Sequence, residues 1–438
     1  MANDKDFILK NAVEVGGPTN VTLGTVTSDN LDLSTGNYFK DTPSGNSTYS
    51  ISNAGDVQSF QLEVTGGSAA VAENFSTTLY TGTNAAQTIT NGLDLSGDGG
   101  MVWFKNRGLA EDHMIVDTVR GGTADLYPNE ANAVDTDGSI ASFNSDGFTF
   151  VNTPNARQNV SGYDYVSWAF KQQSKFFDIV TYTGTSSDQT QFQDVSHNLG
   201  SVPGVVLVKR LNSAENWAFW HRSIDSDMLQ LNITDSQTGA GGRFTSSGVS
   251  SMTSTTFRVY GDNQTGTSGG TYVAYLFAHD TAADSQIKCG SYTGNASASG
   301  PVIDLGWKPQ WVLTKAASRS SDWTIVDNER GVITGGFDAR LHPQSNEAEA
   351  NNSDIIDFLS NGFQPTNTGT LNNGNNETYI YIAIRAASDP DITWPSSIEW
   401  AGGVAPSAPA VGETDVFTFT TDDGGTSYVG VKTADNLS

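Results

Sequence analysis

The chain has 438 residues, 22 basic against 48 acidic side chains, a formal net charge of −26 and one cysteine. Phosphate is neutralised by a basic face, so this charge argues against nucleic acid as a partner, and a lone cysteine excludes an internal disulfide framework. The length predicts about two to four domains. The 46 glycines, with abundant Ser, Thr, Asn and Asp, predict an all-β chain of short strands and tight turns.

The start, Met1–Asn11, lacks the apolar centre of a signal peptide. No apolar run approaches the roughly 20 residues that span a bilayer, so membrane insertion is not expected. Beyond it, Leu31–Phe39 and Gln58–Val64 read as strands around a polar turn.

A tripeptide then recurs: Tyr80–Gly82, Tyr182–Gly184 and Tyr292–Gly294, each Tyr-Thr-Gly. Each copy leads to an apolar strand ending in lysine: Met101–Lys105, Val205–Lys209 and Trp311–Lys315. A second strand follows: Asp112–Asp117, Asn216–His221 and Asp322–Asp327. Next come Leu126–Asn129, Leu229–Asn232 and Leu341–Gln344, then Phe148, Phe257 and Phe363. Closing strands are Tyr165–Phe170, Tyr272–Phe277 and Tyr379–Ile384, apolar on both faces and so expected to be central. The order and spacing predict three β-sandwich-like repeats, at 73–171, 175–280 and 285–388, each able to hold its own small core. The lysine that ends the first strand reads as a solvated strand end, and the aromatics read as core.

The tail contains Ile392–Pro395, Ile398–Trp400 and a hairpin signal, Asp422-Asp-Gly-Gly425, between Phe417–Thr421 and Tyr428–Lys432. Neither end piece is large enough to be stable alone. Joined, 31–67 and 391–438 make one discontinuous β-sandwich domain, with the three repeats inserted in a surface loop.

The search for chemistry returns little. None of the five histidines forms His-Glu-x-x-His, and one cysteine cannot build a thiolate zinc site. Gly266–Gly270 superficially resembles a serine-hydrolase turn but has no identifiable partners. Asp94–Gly100 and Asp135–Gly138 fit ordinary turns and, secondarily, calcium loops. No catalytic residue, metal or cofactor is expected. Asp117, His221 and Asp327 occupy equivalent positions, each followed by an arginine: Arg120, Arg222 and Arg330. These six residues form either Asp–Arg pairs that brace a loop or a shared glycan-contact site.

The stretches "DLSTGNYF…SFQLEVTGG" and "ITWPSSIEWAGGVAP…VGETDVFTFTTDDGGTSYVGV" resemble one continuous β domain of tail fibres from marine and cyanobacterial phages, here split between Gly67 and Asp391. The repeats "HNLGSVPGVVLVKR…NWAFWHRS…GGTYVAYLFAHD" and "DLGWKPQWVLTK…DWTIVDNERG…ETYIYIAIR" are similar to modules of such fibre and virion proteins. The opening "KDFILKNAVEVGG" resembles the start of many such fibres, which implies that residues 1–30 are an attachment segment. The first repeat departs from the pattern, with Asp94–Gly100 in place of the Leu-Gly-x-x-Pro turn.

The resemblance implies a non-enzymatic bacteriophage virion protein, made in the host cytoplasm and resident in the particle. A tail fibre or receptor-binding adhesin is expected first. It would contact other virion proteins and a host cell-surface glycan or receptor, as a homo-oligomer with a trimer favoured. A capsid decoration or vertex protein is the alternative, since three like modules can mimic local threefold symmetry within one chain. A polysaccharide depolymerase stands third, because paired carboxylates on separate strands cannot be read from spacing.

Overall fold

A computed structural model describes residues 26–27, 30–41, 47–55, 58–65, 74–152, 157–246, 248, 250–282, 285–386, 392–401, 403–406 and 414–437. The expected attachment segment lies almost wholly outside the described residues. The fold is all-β and multidomain: the described residues form strands and turns, with one three-residue 3-10 turn among them at Arg222–Ile224. Among the described residues no helix is long and apolar enough to cross a membrane. The chain divides into two compact units, residues 1–69 with 388–438, and residues 70–387.

In the discontinuous unit, Gln58–Thr65 pairs antiparallel with Thr414–Thr421 over eight residues, so the two end pieces share one sheet. Thr414–Thr421 and Tyr428–Leu437 are the two arms of the hairpin. Asp423 fixes its turn by accepting from the amides of Thr426 and Ser427, at 3.0 Å each through Oδ1. The alternating pattern of Gln58–Thr65 puts Phe60, Leu62 and Val64 on one face, where they pack with Phe417, Phe419 and Tyr428. Two of the pairings in this sheet are parallel, Tyr38–Asp41 with Gln58–Thr65 and Ile398–Trp400 with Tyr428–Leu437. Sequence pattern does not reveal these, because parallel pairing needs no local turn signal.

The larger unit repeats one sheet three times. An opening strand (Phe75–Thr81, Phe177–Thr183, Ile287–Thr293) pairs with the closing strand (Asp164–Lys171, Thr271–Ala278, Thr378–Arg385). That strand pairs with the lysine strand (Gly100–Asn106, Pro203–Arg210, Pro309–Ala316), which pairs with a fourth (Met114–Asp117, Ala218–His221, Trp323–Asp327). All nine pairings are antiparallel. A smaller sheet carrying Phe148, Phe257 or Phe363 completes each module.

The Tyr-Thr-Gly signature now has a physical cause. Its tyrosine lies opposite the closing-strand tyrosine, and the rings stack at centroid distances of 5.1, 5.2 and 5.1 Å for Tyr80–Tyr165, Tyr182–Tyr272 and Tyr292–Tyr379. The three signature hydroxyls donate to main-chain carbonyls of Gln158, Thr265 and Asn372 at 2.8, 2.6 and 2.7 Å. The glycine is required by close approach. A Cβ on Gly82, Gly184 or Gly294 would run into the carbonyl oxygen of Val160, Thr267 or Gly374.

Both faces of each four-strand sheet are buried; in the first and third modules they serve different cores, whereas in the second both faces, with Phe257 of its small sheet, join one cluster. In the first module Val102, Phe104, Met114 and Val116 face the module's own small sheet. In the third, Val312, Val326, Tyr381 and Ala383 do the same. The alternate residues face a core shared by all three modules: Trp103, Ile115 and Trp168 from the first, Leu207, Phe219 and Tyr275 from the second, Leu313, Ile325 and Ile382 from the third. These nine are three sets of equivalent positions. A fully buried side chain of this size contributes about 1.5–3 kcal/mol, so these positions tie the three modules together through apolar burial.

Candidate functional site

The three modules close into a ring. The Val134 amide of the first donates to the Leu211 carbonyl of the second at 3.0 Å, Gln237 of the second to Ala317 of the third at 2.7 Å, and Glu349 of the third to Arg107 of the first at 2.8 Å. Each acceptor lies two residues after its module's lysine. The indole N–H of Trp217 donates to Tyr127 O at 3.1 Å and to Glu130 O at 3.2 Å. That of Trp323 donates to Gln230 O and Ile233 O, both at 3.2 Å. At the closing interface His113 takes the position of these tryptophans, and a bidentate pair does the holding: Arg107 Nε and Nη2 to Glu349 at 2.9 and 2.7 Å.

The six residues singled out in the sequence fall into this frame. Asp117 accepts from the Arg120 amide at 2.8 Å, from Arg120 Nε at 2.6 Å, and from the Tyr275 hydroxyl of the second module at 2.7 Å. Asp327 accepts from the Arg330 amide at 2.9 Å, from Arg330 Nε at 2.6 Å, and from the Trp168 indole of the first module at 2.9 Å. Both aspartates are 0 % exposed, and the arginine side chains are 4 % and 0 % exposed. A glycan cannot reach them. They are ionic braces that reach across module boundaries.

The second module departs from this scheme. Its partner position on the third module is Ile382, which has no polar side chain. His221, 0 % exposed, instead donates through Nε2 to the adjacent main-chain carbonyl of Tyr381 at 3.2 Å and accepts the Ser223 amide at Nδ1. Burial pushes its pKa down to about 3, which keeps it neutral. Aligning Arg222 with Arg120 and Arg330 needs correction. Those two follow their aspartates by three residues; three residues after His221 is Ile224, which is buried. Arg222 follows His221 directly and is exposed.

The lysines also need correction. Lys105, Lys209 and Lys315 are 0 % exposed rather than solvated. Strand alternation puts each on the face of Trp103, Leu207 or Leu313, toward the shared core. Main-chain carbonyls hold them: Asn106 and Leu109 for Lys105 at 2.6 and 3.0 Å, Ala316 and Arg319 for Lys315 at 2.6 and 3.3 Å. Lys209 uses Glu215 at 2.6 Å and Ala131 of the first module at 2.8 Å. Burial pushes all three down to about 8.

The two candidate calcium loops spend their carboxylates on turns. Asp94 Oδ1 accepts from Gly97 N at 2.7 Å and Ser96 Oγ at 2.9 Å, and Asp135 Oδ1 from Asp137 N at 3.0 Å. No cluster of three potential metal-binding side chains occurs among the described residues.

A cleft of about 460 Å³ opens to solvent on the second module, lined by Trp220, Arg222, Asp225, Met252 and His279 among others. The 3-10 turn Arg222–Ile224 builds it: Ile224 goes inward, and Arg222 goes to the cleft. This site was not legible as a cleft in the sequence, because its residues come from four separate segments.

No curated protein matches the chain. A family model described as Domain of unknown function (DUF7483) matches residues 70–388, the ring of three modules. The chain therefore belongs to the DUF7483 family.

Proposed function

We propose that the chain is a non-enzymatic structural protein of a bacteriophage particle, a tail fibre or receptor-binding adhesin that contacts host surface glycans. The observation that carries this reading is the closed ring. Its buried aspartates Asp117 and Asp327 are spent on contacts across module boundaries, and what it offers outward is three related sets of loops. Weak contacts made by such loops, multiplied by the copies on a particle, raise avidity without a strong single site. The sequence resemblance to phage fibre modules supports the same reading. The discontinuous unit would dock on the particle or pair with neighbouring subunits, with a homotrimer favoured. A polysaccharide depolymerase stands third, and Asp117 and Asp327, being buried, would not be its catalytic carboxylates.

The pseudo-threefold ring also favours a second reading, a capsid decoration or vertex protein, since one chain can then occupy a threefold position. Labelling intact particles with antibody to this chain tests both. Label on the tail supports the first reading, label over the head supports the second, and a chain missing from purified particles refutes both. Release of reducing sugar from host polysaccharide would refute the non-enzymatic part.

A further inference from the structure

The first and third modules each bury an Asp–Arg pair at the boundary with a neighbour, whereas the second has a neutral histidine there and an arginine on the surface. The loss of the pair is explained by Ile382, which offers no polar partner. The surface arginine is not explained by packing. Arg222 has no hydrogen-bond or ion-pair partner among the described residues, in a chain whose net charge is −26. Lys175 and Lys308 are also exposed without an ion pair among the described residues, but Arg222 differs from them in lining the cleft.

The groups around Arg222 specify a chemistry. His279 accepts the Cys289 amide at Nδ1, at 3.3 Å, which places its proton on Nε2 as a second donor. Asp225 lies in the same cleft; its Oδ1 takes the Ser250 hydroxyl, and its other oxygen remains an acceptor. Val202, half exposed, and Met252 supply apolar wall. A bare anion would be repelled by Asp225. A ligand carrying an anionic group beside hydroxyls satisfies all of these groups: the anion on Arg222 and His279, the hydroxyls on Asp225, and a C–H face on the apolar wall. A cleft of about 460 Å³ takes one or two sugar rings.

We infer that this cleft is a binding site for an acidic saccharide, with Arg222 as the anion contact. The inference rests on the adhesin reading and names its ligand class. The test is calorimetric titration of the full chain with trigalacturonate, a sulfated disaccharide, maltotriose and inorganic phosphate, each repeated with Arg222→Gln and Asp225→Asn. Trigalacturonate or the sulfated disaccharide should bind, the better of them identifying the anion, while maltotriose and phosphate should not. Arg222→Gln should weaken binding at least tenfold with an unchanged melting temperature, because the side chain is exposed and unpaired. Asp225→Asn should weaken the saccharide and not improve phosphate to the same affinity. Equal affinity of Arg222→Gln and the unaltered chain, equal binding of maltotriose, or no binding of either acidic saccharide overturns the inference. Host-cell adsorption separates its failure from that of the adhesin reading: adsorption that survives Arg222→Gln leaves an adhesin without this site, and no adsorption by the unaltered chain refutes the adhesin itself.

Discussion

Replacing Asp327 by alanine removes the acceptor of three hydrogen bonds, from the Arg330 amide, Arg330 Nε and the Trp168 indole. It also strands a guanidinium whose side chain is 0 % exposed. Breaking a buried ion pair by deleting one partner costs about 3–5 kcal/mol, because the other charge stays buried. Glu349, 3.2 Å from Arg330 Nη1, compensates in part, which puts the expectation near the lower half of that range. The larger unit spans residues 70–387. At about 2 cal/mol/K of unfolding entropy per residue, a cooperative unit of this size loses about 1.5 °C per kcal/mol, so Asp327→Ala should lower its melting temperature by about 5–6 °C. The double variant Asp327→Ala/Arg330→Met removes the stranded charge and should recover more than half of the loss, a non-additivity diagnostic of a coupled pair. Differential scanning calorimetry reads both. A shift below 2 °C for the single variant, or a double variant worse than the single one, would refute the reasoning that this pair braces the boundary between modules three and one.

Three further outcomes follow from the same geometry. Because His221 stays neutral down to about pH 3 when folded, the unfolded chain binds its proton first as pH falls below 6.5. Its contribution is therefore full above 6.5 and is lost toward pH 3 at up to about 1.4 kcal/mol per unit, so the melting-temperature advantage over His221→Gln should shrink steadily across that window. The three buried lysines carry the same sign into the alkaline range: folded values near 8 against an ordinary 10.5 mean that stability rises with pH between those limits. The melting temperature should be higher at pH 9.5 than at pH 8, and a flat or falling profile contradicts the burial of these ammonium groups. Gly184→Ala should cost several kcal/mol through collision with Thr267 O, whereas Gly239→Ala, which meets nothing, should shift the melting temperature little.

The strand content and the repeated landmarks were legible because each rests on local signals: a turn residue, an apolar alternation, an aromatic at a fixed distance. The hairpin at Asp422–Gly425 is of this kind. What was not legible depends on another module. An apolar run ending in lysine looks the same whether water or a neighbour's loop covers its end, so Lys209 gave no hint of Ala131. Trp217, Trp323 and His113 share one position, but only the indoles donate across a boundary, so the equivalence was hidden by the histidine. Arg222 was misaligned because nearness in sequence substituted for the spacing of three residues that lets Arg120 and Arg330 fold back on their aspartates. The parallel pairs of the discontinuous unit leave no trace in either partner alone.

The central structural claim is that the third module closes onto the first. Hydrogen exchange at the Glu349 amide tests it directly, since that N–H is bonded only if the ring is closed, to Arg107 O at 2.8 Å. Closure predicts protection of Glu349 similar to that of Val134 and Gln237 at the other two boundaries. Rapid exchange at Glu349 with Val134 and Gln237 protected would mean an open row of modules and would contradict the account.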